Sequence, residues 1–131
     1  MLRIKSTRSG RELAFTKYDG ENFSIELKGG ISATIRVYGY APHSHDLSHW
    51  FSELGKQIHP WDGELVWESL EGEFKIKAIC DFQGHVYFQV SLRPPPGTFE
   101  ESFISVGLQS ELGQLGNIAS EARRFFDPSN T

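Results

Sequence analysis

Residues 64–93 read ELVWESLEGEFKIKAICDFQGHVYFQVSLR, and this stretch decides the fold. Phe74, Ile76, Ala78 and Cys80 alternate with Lys75, Lys77 and Ile79, while Val86, Phe88, Val90 and Leu92 alternate with Tyr87, Gln89 and Ser91. A period of two sends successive side chains to opposite faces, so each run has an apolar side and a largely polar one, as half-exposed antiparallel strands do. Glu71-Gly72 and Gln83-Gly84 are turn pairs between the runs. Three strands are predicted, Glu64 to Leu70, Glu73 to Phe82 and His85 to Leu92, whose apolar rows join into one surface.

Upstream the same period holds. Phe23, Ile25 and Leu27 alternate with Ser24, Glu26 and Lys28, and Ile31, Ala33, Ile35 and Val37 alternate with Ser32, Thr34 and Arg36. Leu13 and Phe15 precede them, and Asp19-Gly20 and Gly29-Gly30 supply turns, so the first 40 residues are expected to hold three or four strands. After Ala41-Pro42 the period changes. Leu47, Trp50, Phe51, Leu54 and Ile58 fall three and four apart, which predicts an amphipathic helix over about 44–57, capped at Ser44 or a neighbour and ending near Gly55. Pro60-Trp61-Asp62-Gly63 turns the chain back.

Downstream, Pro94, Pro95 and Pro96 lack backbone donors and stop the sheet. A last strand is expected from Ser102 to Gln109. Leu112, Leu115, Ile118, Ala119, Ala122 and Phe125 or Phe126 then predict a helix over about 111–126, ended by Asp127-Pro128. Strands and helices do not alternate, so the expected class is α+β: an antiparallel sheet of about six to eight strands with two helices packed on one face, in a single domain covering residues 1–131.

Composition bounds the function. Lys and Arg total 13 against 17 for Asp and Glu, a formal charge of −4, and no basic run is present. General nucleic-acid binders set clustered Lys and Arg against phosphates, so a nucleic-acid partner is not expected. With Cys80 the only cysteine, an intramolecular disulfide is impossible, and a zinc site would need His or carboxylate ligands. No stretch of about 18 apolar residues occurs and the first residues carry charges throughout, so a cytoplasmic protein without a membrane partner is expected.

Three groups of residues bear on chemistry. His43, His45 and His49 surround the predicted start of the first helix, and His45 and His49, four apart, would share one face of it. With Asp46 they form a candidate metal set, although a zincin helix would carry Glu where Asp46 stands. His85 after Gly84 has the titration range of a general base, but no nucleophile stands at a fixed offset. Cys80 shares the apolar row of its strand and reads as a small hydrophobe. Asp62, Glu64, Glu68, Glu71 and Glu73 crowd twelve positions with no basic residue among them, bracketed by Trp61 and Trp67. Carboxylates beside aromatics fit a docking patch for a basic partner, with Trp61, Asp62, Glu64, Glu68, Glu71 and Glu73 as its residues. Phosphate-cradle and nucleophile-elbow motifs are absent.

Trp67-Glu68-Ser69-Leu70-Glu71-Gly72, Asp81-Phe82-Gln83-Gly84-His85-Val86, Val90-Ser91-Leu92-Arg93-Pro94 and the ending Ile118 to Phe126 resemble small bacterial proteins of unknown function, some of which carry the name WapI-like immunity proteins. The resemblance spans the chain from about Ile31 onward. It implies an α+β domain of bacterial origin and neutralisation of a toxin by direct binding, and it brings no catalytic or ligand-binding residues with it. The acidic, aromatic-bearing patch points first to a non-enzymatic, cofactor-free binding module for a basic partner, which the resemblance implies is a protein toxin. A metal-dependent hydrolase built on His43, His45 and His49 is the second expectation. An oligomerising domain, in which exposed aromatics complete a dimer of this chain, is the third.

Overall fold

The computed structural model describes residues 1–39, 44–93 and 103–127, with side chains in the first helix from Asp46 onward. Tyr40, the sequence around His43, the proline triplet, the expected strand start at Ser102 and the stop at Pro128 lie outside the described residues. The described elements follow the predicted order: β1 (Leu2–Lys5), β2 (Glu12–Thr16), β3 (Phe23–Lys28), β4 (Ala33–Val37), α1 (Ser44–Gly55), β5 (Leu65–Glu68), β6 (Phe74–Cys80), β7 (His85–Leu92), β8 (Ile104–Glu111) and α2 (Leu115–Phe126). A single 3-10 turn, Leu112–Gln114, leads into α2.

The strands form two antiparallel meanders of four, β1-β2-β3-β4 and β5-β6-β7-β8, where one sheet of six to eight was expected. The sheets touch where β1 and β8 approach. There the loop after β1 donates Thr7 N–H to the Gln109 carbonyl at 2.8 Å. A continuous sheet would need β1 itself to pair with β8. Instead the Arg3 N–H of β1 donates to Glu121 Oε1 of α2 at 3.2 Å, so the helix takes a donor that a ladder would use.

Alternation places the apolar rows as predicted. Leu2, Ile4, Leu13, Phe15, Phe23, Ile25, Leu27 and Val37 of the first sheet are buried, as are Trp67, Phe74, Ile76, Ala78, Val86, Phe88, Val90 and Leu92 of the second. Phe15 stands opposite Leu2 on one side and Ile25 on the other, and Phe88 opposite Ala78 and Leu108. Both rows bury against the helices. Leu47, Trp50, Phe51 and Leu54 of α1 and Leu115, Ile118 and Ala122 of α2 complete the core. At its centre the Phe15 ring meets Phe74 of the second sheet at 5.7 Å, Phe51 of α1 at 5.6 Å and Phe125 of α2 at 6.4 Å, all edge to face.

Position 55, at the end of α1, takes a glycine because α2 crosses there: a Cβ on Gly55 would clash with the Ala119 Cβ. Ile58, expected on the helix stripe, lies beyond the helix and is exposed. The strands at residues 64–82 are shorter than predicted. Ser69 and Asp81 divert the chain into turns: the Ser69 Oγ accepts from Phe74 N–H, and Asp81 Oδ1 accepts from the Gln83 and His85 N–H groups. The last strand runs two residues further than expected, to Glu111, because Ser110 and Glu111 keep register with Val86 and His85.

Candidate functional site on the outer face of the second sheet

Strand parity sends Lys75, Lys77 and Ile79 of β6, His85, Tyr87 and Gln89 of β7, and Ser105, Gly107, Gln109 and Glu111 of β8 to the face away from the helices, with Val66 and Glu68 of β5 beside them. Val66, Ile79 and Tyr87 are exposed on it. At one end, the β6–β7 turn carries Phe82 at its tip, 87% exposed. Leu65 pairs with Ala78, so Asp62 and Glu64 come to the same end of the sheet as Asp81 and Phe82. Glu68 and Glu71 belong to the opposite end, about 13 Å further along an extended chain.

The acidic stretch is divided by this geometry. Asp62, Glu64, Glu68 and Glu71 are exposed, as expected. Glu64 Oε2, however, meets Lys77 Nζ at 3.3 Å, and Lys75 stands opposite Glu68 across the ladder. Lysines that follow the acidic run in sequence are thus folded back among its carboxylates, and an isolated exposed pair of this kind adds about 0–1 kcal/mol. Glu73, expected on the surface, is 1% exposed, and neither carboxylate oxygen has a hydrogen-bond partner among the described residues. Its backbone explains the position: the Glu73 carbonyl accepts from Arg93 N–H at 2.9 Å, which ties it into the base of the sheet. Trp61 is also withdrawn, half-buried against the core with its indole Nε1 shielded from solvent. The most exposed aromatic at this end is Phe82, with Tyr87 also exposed beside Asp81.

Of the histidine cluster the structure describes only the His49 side chain. His43 and the His45 side chain lie outside the described residues. His49 is exposed on α1, with Nε2 3.7 Å from Glu53 Oε1, and Asp46 is exposed. Among the described residues no three His, Cys, Asp or Glu side chains converge as a metal set would. His85 sits elsewhere, its Nδ1 2.9 Å from Glu111 Oε2 and 3.4 Å from Gln109 Nε2. This pair orients the ring, yet among the described residues no hydroxyl or thiol nucleophile is bonded to it. The Cys80 thiol is held up by burial, opposed by a Trp61 backbone contact and reinforced by the Asp81 and Glu111 carboxylates, which disfavours a thiolate. Loss of hydration first, then the Asp81 carboxylate, likewise raises the Tyr87 phenol, whose hydroxyl donates to Asp81 Oδ2 at 3.3 Å.

Missed in the sequence was the contribution of the β1–β2 loop, Ser6 to Arg11. It crosses onto β8, where Arg11 Nη1 donates to the Gly107 carbonyl at 3.1 Å and Thr7 Oγ1 to the Gln109 carbonyl at 3.2 Å. Loop and sheet border an open hollow of about 450 Å³ lined by Arg8, Arg11, Ile79, Tyr87, Gln89 and Gly107, with Glu64 and Lys77 at its far rim. Partners about 100 positions apart leave no local signal. Phe82 did leave one: an apolar residue between Asp81 and Gln83-Gly84 sits where a turn exposes it.

A family model described as a family of unknown function, DUF6228, matches residues 5–129. That supports the resemblance at the level of a family without assigned function, and lends nothing to the immunity-protein name. Comparison with curated proteins and with solved structures finds no significant match. No described helix is long and apolar enough to cross a membrane.

Proposed function

From the premise that the chain belongs to DUF6228, a family of unknown function, we propose that it is a non-enzymatic binding module of the immunity-protein kind, neutralising a basic protein toxin by direct contact in the bacterial cytoplasm. The observation that carries this is the exposed Phe82 at the end of the second sheet to which Asp62 and Glu64 also come. An apolar anchor flanked by carboxylates is what a basic partner needs: the ring supplies desolvated area and the charges steer encounter. Val66, exposed on the terminal strand β5, extends the apolar contact toward Glu68.

The test is association of the purified full chain with the products of the genes that flank its own. The expected result is one partner whose association rate falls about tenfold between low and high salt, falls similarly in Glu64→Lys with Glu68→Lys, and whose dissociation speeds in Phe82→Ala. A partner bound at a salt-independent rate, indifferent to all three substitutions, overturns the proposal, as does binding by none of the products. Concentration-dependent mass of the chain alone, lost in Phe82→Ala, would assign this end to a dimer.

A further inference from the structure

The hollow under the β1–β2 loop lies on the same sheet face and shares only Glu64, at its far rim, with the docking surface. Its near wall is fixed before any ligand arrives: Thr7 N–H and Oγ1 bond the Gln109 carbonyl, Arg11 Nη1 bonds the Gly107 carbonyl, and Ser6 N–H closes the loop on the Arg11 carbonyl at 2.9 Å. The floor is opened by a missing side chain. Gly107 stands opposite Gln89 in the ladder, and a Cβ added there would find no atom nearer than 3.8 Å. Ile79 and Tyr87, both exposed, offer apolar surface across from the loop.

Charge then selects the occupant. Lys77 at the far rim is met by Glu64, but among the described residues neither the Arg8 nor the Arg11 guanidinium meets a carboxylate, in a chain whose net charge is −4. Arg11 gives one bond to Gly107, and a guanidinium has five donors in a planar fork suited to carboxylate or phosphate oxygens. Two such forks beside an apolar wall, in a hollow of small-molecule size, have a complementary ligand. We infer that this hollow binds a small organic anion, its carboxylate or phosphate held by Arg8 and Arg11 and its apolar body laid on Ile79 and Tyr87.

The test is calorimetric titration of the full chain with 1-naphthoate, 1-naphthyl phosphate and the uncharged 1-naphthalenemethanol. One-to-one binding of an anion is expected, about tenfold tighter than the alcohol, weakened about tenfold by Arg8→Ala and by Gly107→Val, which fills the floor. Arg8 is exposed on the loop with no described side-chain bond, so Arg8→Ala is expected to unfold at the wild-type temperature and to report binding alone. Equal affinity for anion and alcohol, anion binding indifferent to Arg8→Ala, or no saturation by either anion below about 10 mM overturns the inference. Arg8 and Gly107 lie off the Asp62–Phe82 end, so loss here and loss of toxin binding are separate results.

Discussion

The two sheets turn corners with the same device and finish it differently. In the β2–β3 turn, Asp19 Oδ1 accepts from the Glu21 and Asn22 N–H groups; in the β6–β7 turn, Asp81 Oδ1 accepts from Gln83 and His85. The second oxygen separates them. Asp19 Oδ2 takes Arg36 Nη2 at 3.0 Å, and the same guanidinium bonds the Lys17 carbonyl and Ser24 Oγ, closing that part of the first sheet's outer face over buried Thr16 and Ser24. Among the described residues Asp81 Oδ2 takes only the phenol of Tyr87, and Tyr87, Ile79 and Val66 stay exposed around it. The first meander closes Arg36 over its own outer face, while Arg8 and Arg11 of its β1–β2 loop, which reach the second sheet, meet no carboxylate among the described residues. The proposed recognition surface is the one whose polar capacity is less used within the fold.

The comparison presumes that the sheets are halves of one cooperative unit, and the largest expected effect tests that. Phe74 of the second sheet touches Phe15 and Phe23 of the first and Trp67 of its own. Phe74→Ala should cost about 3–5 kcal/mol and leave a single urea transition by circular dichroism; two transitions, with one sheet surviving, would make the faces belong to independent domains.

A smaller effect sharpens the contrast between the closed and open faces. Arg36→Ala removes three bonds and should cost about 1–2 kcal/mol, the exposed side of the guanidinium discounting the rest. Tyr87→Phe should cost less. Equal losses in parallel urea titrations would mean that the second face is as closed as the first.

Smallest is the pH effect. Backbone donors from Asn22 and Glu21 hold the Asp19 carboxyl below its ordinary 3.8. At Asp81 desolvation pushes upward, but the His85 and Gln83 N–H groups outweigh it and the net shift is again downward from 3.8. A carboxyl lowered by folding stabilises the folded state above its unfolded value and ceases to as pH falls through the folded one. Stability should therefore drop below about pH 4, with Asp19→Asn and Asp81→Asn each flattening the acid limb of the melting-temperature profile. A profile flattened by only one of them would show that the two turns are not equivalent.

Much of this was legible because it is periodic. The row Phe74-Ile76-Ala78 and the helical spacing of Leu47, Trp50, Phe51 and Leu54 each state which face is buried, and the structure buries those faces. The turn pairs were legible too: Gly72 and Gly84 have φ of +75° and +87°, a region in which glycine is at ease. Of the candidate site, Asp62, Glu64, Glu68 and Glu71 were placed correctly at the surface. Glu73 was not. Its parity put it on the outer face, but parity does not report what lies on that face, and the burial of a charged residue runs against composition. Trp61 failed for the converse reason, since an aromatic in a turn is exposed only if no core residue reaches it.

By itself, then, the sequence determined the order of the strands and helices and most of their buried sides, because local backbone geometry fixes side-chain direction at periods of two and 3.6. Tertiary structure alone decided that the eight strands form two sheets, and that Arg8 and Arg11 come to stand over Gly107. Both outcomes depend on edge hydrogen bonds between distant partners, Arg3 with Glu121 and Thr7 with Gln109, separated by 118 and 102 positions. A strand edge offers the same N–H and C=O groups whatever its side chains, so the hydrophobic pattern carries no record of which neighbour takes them.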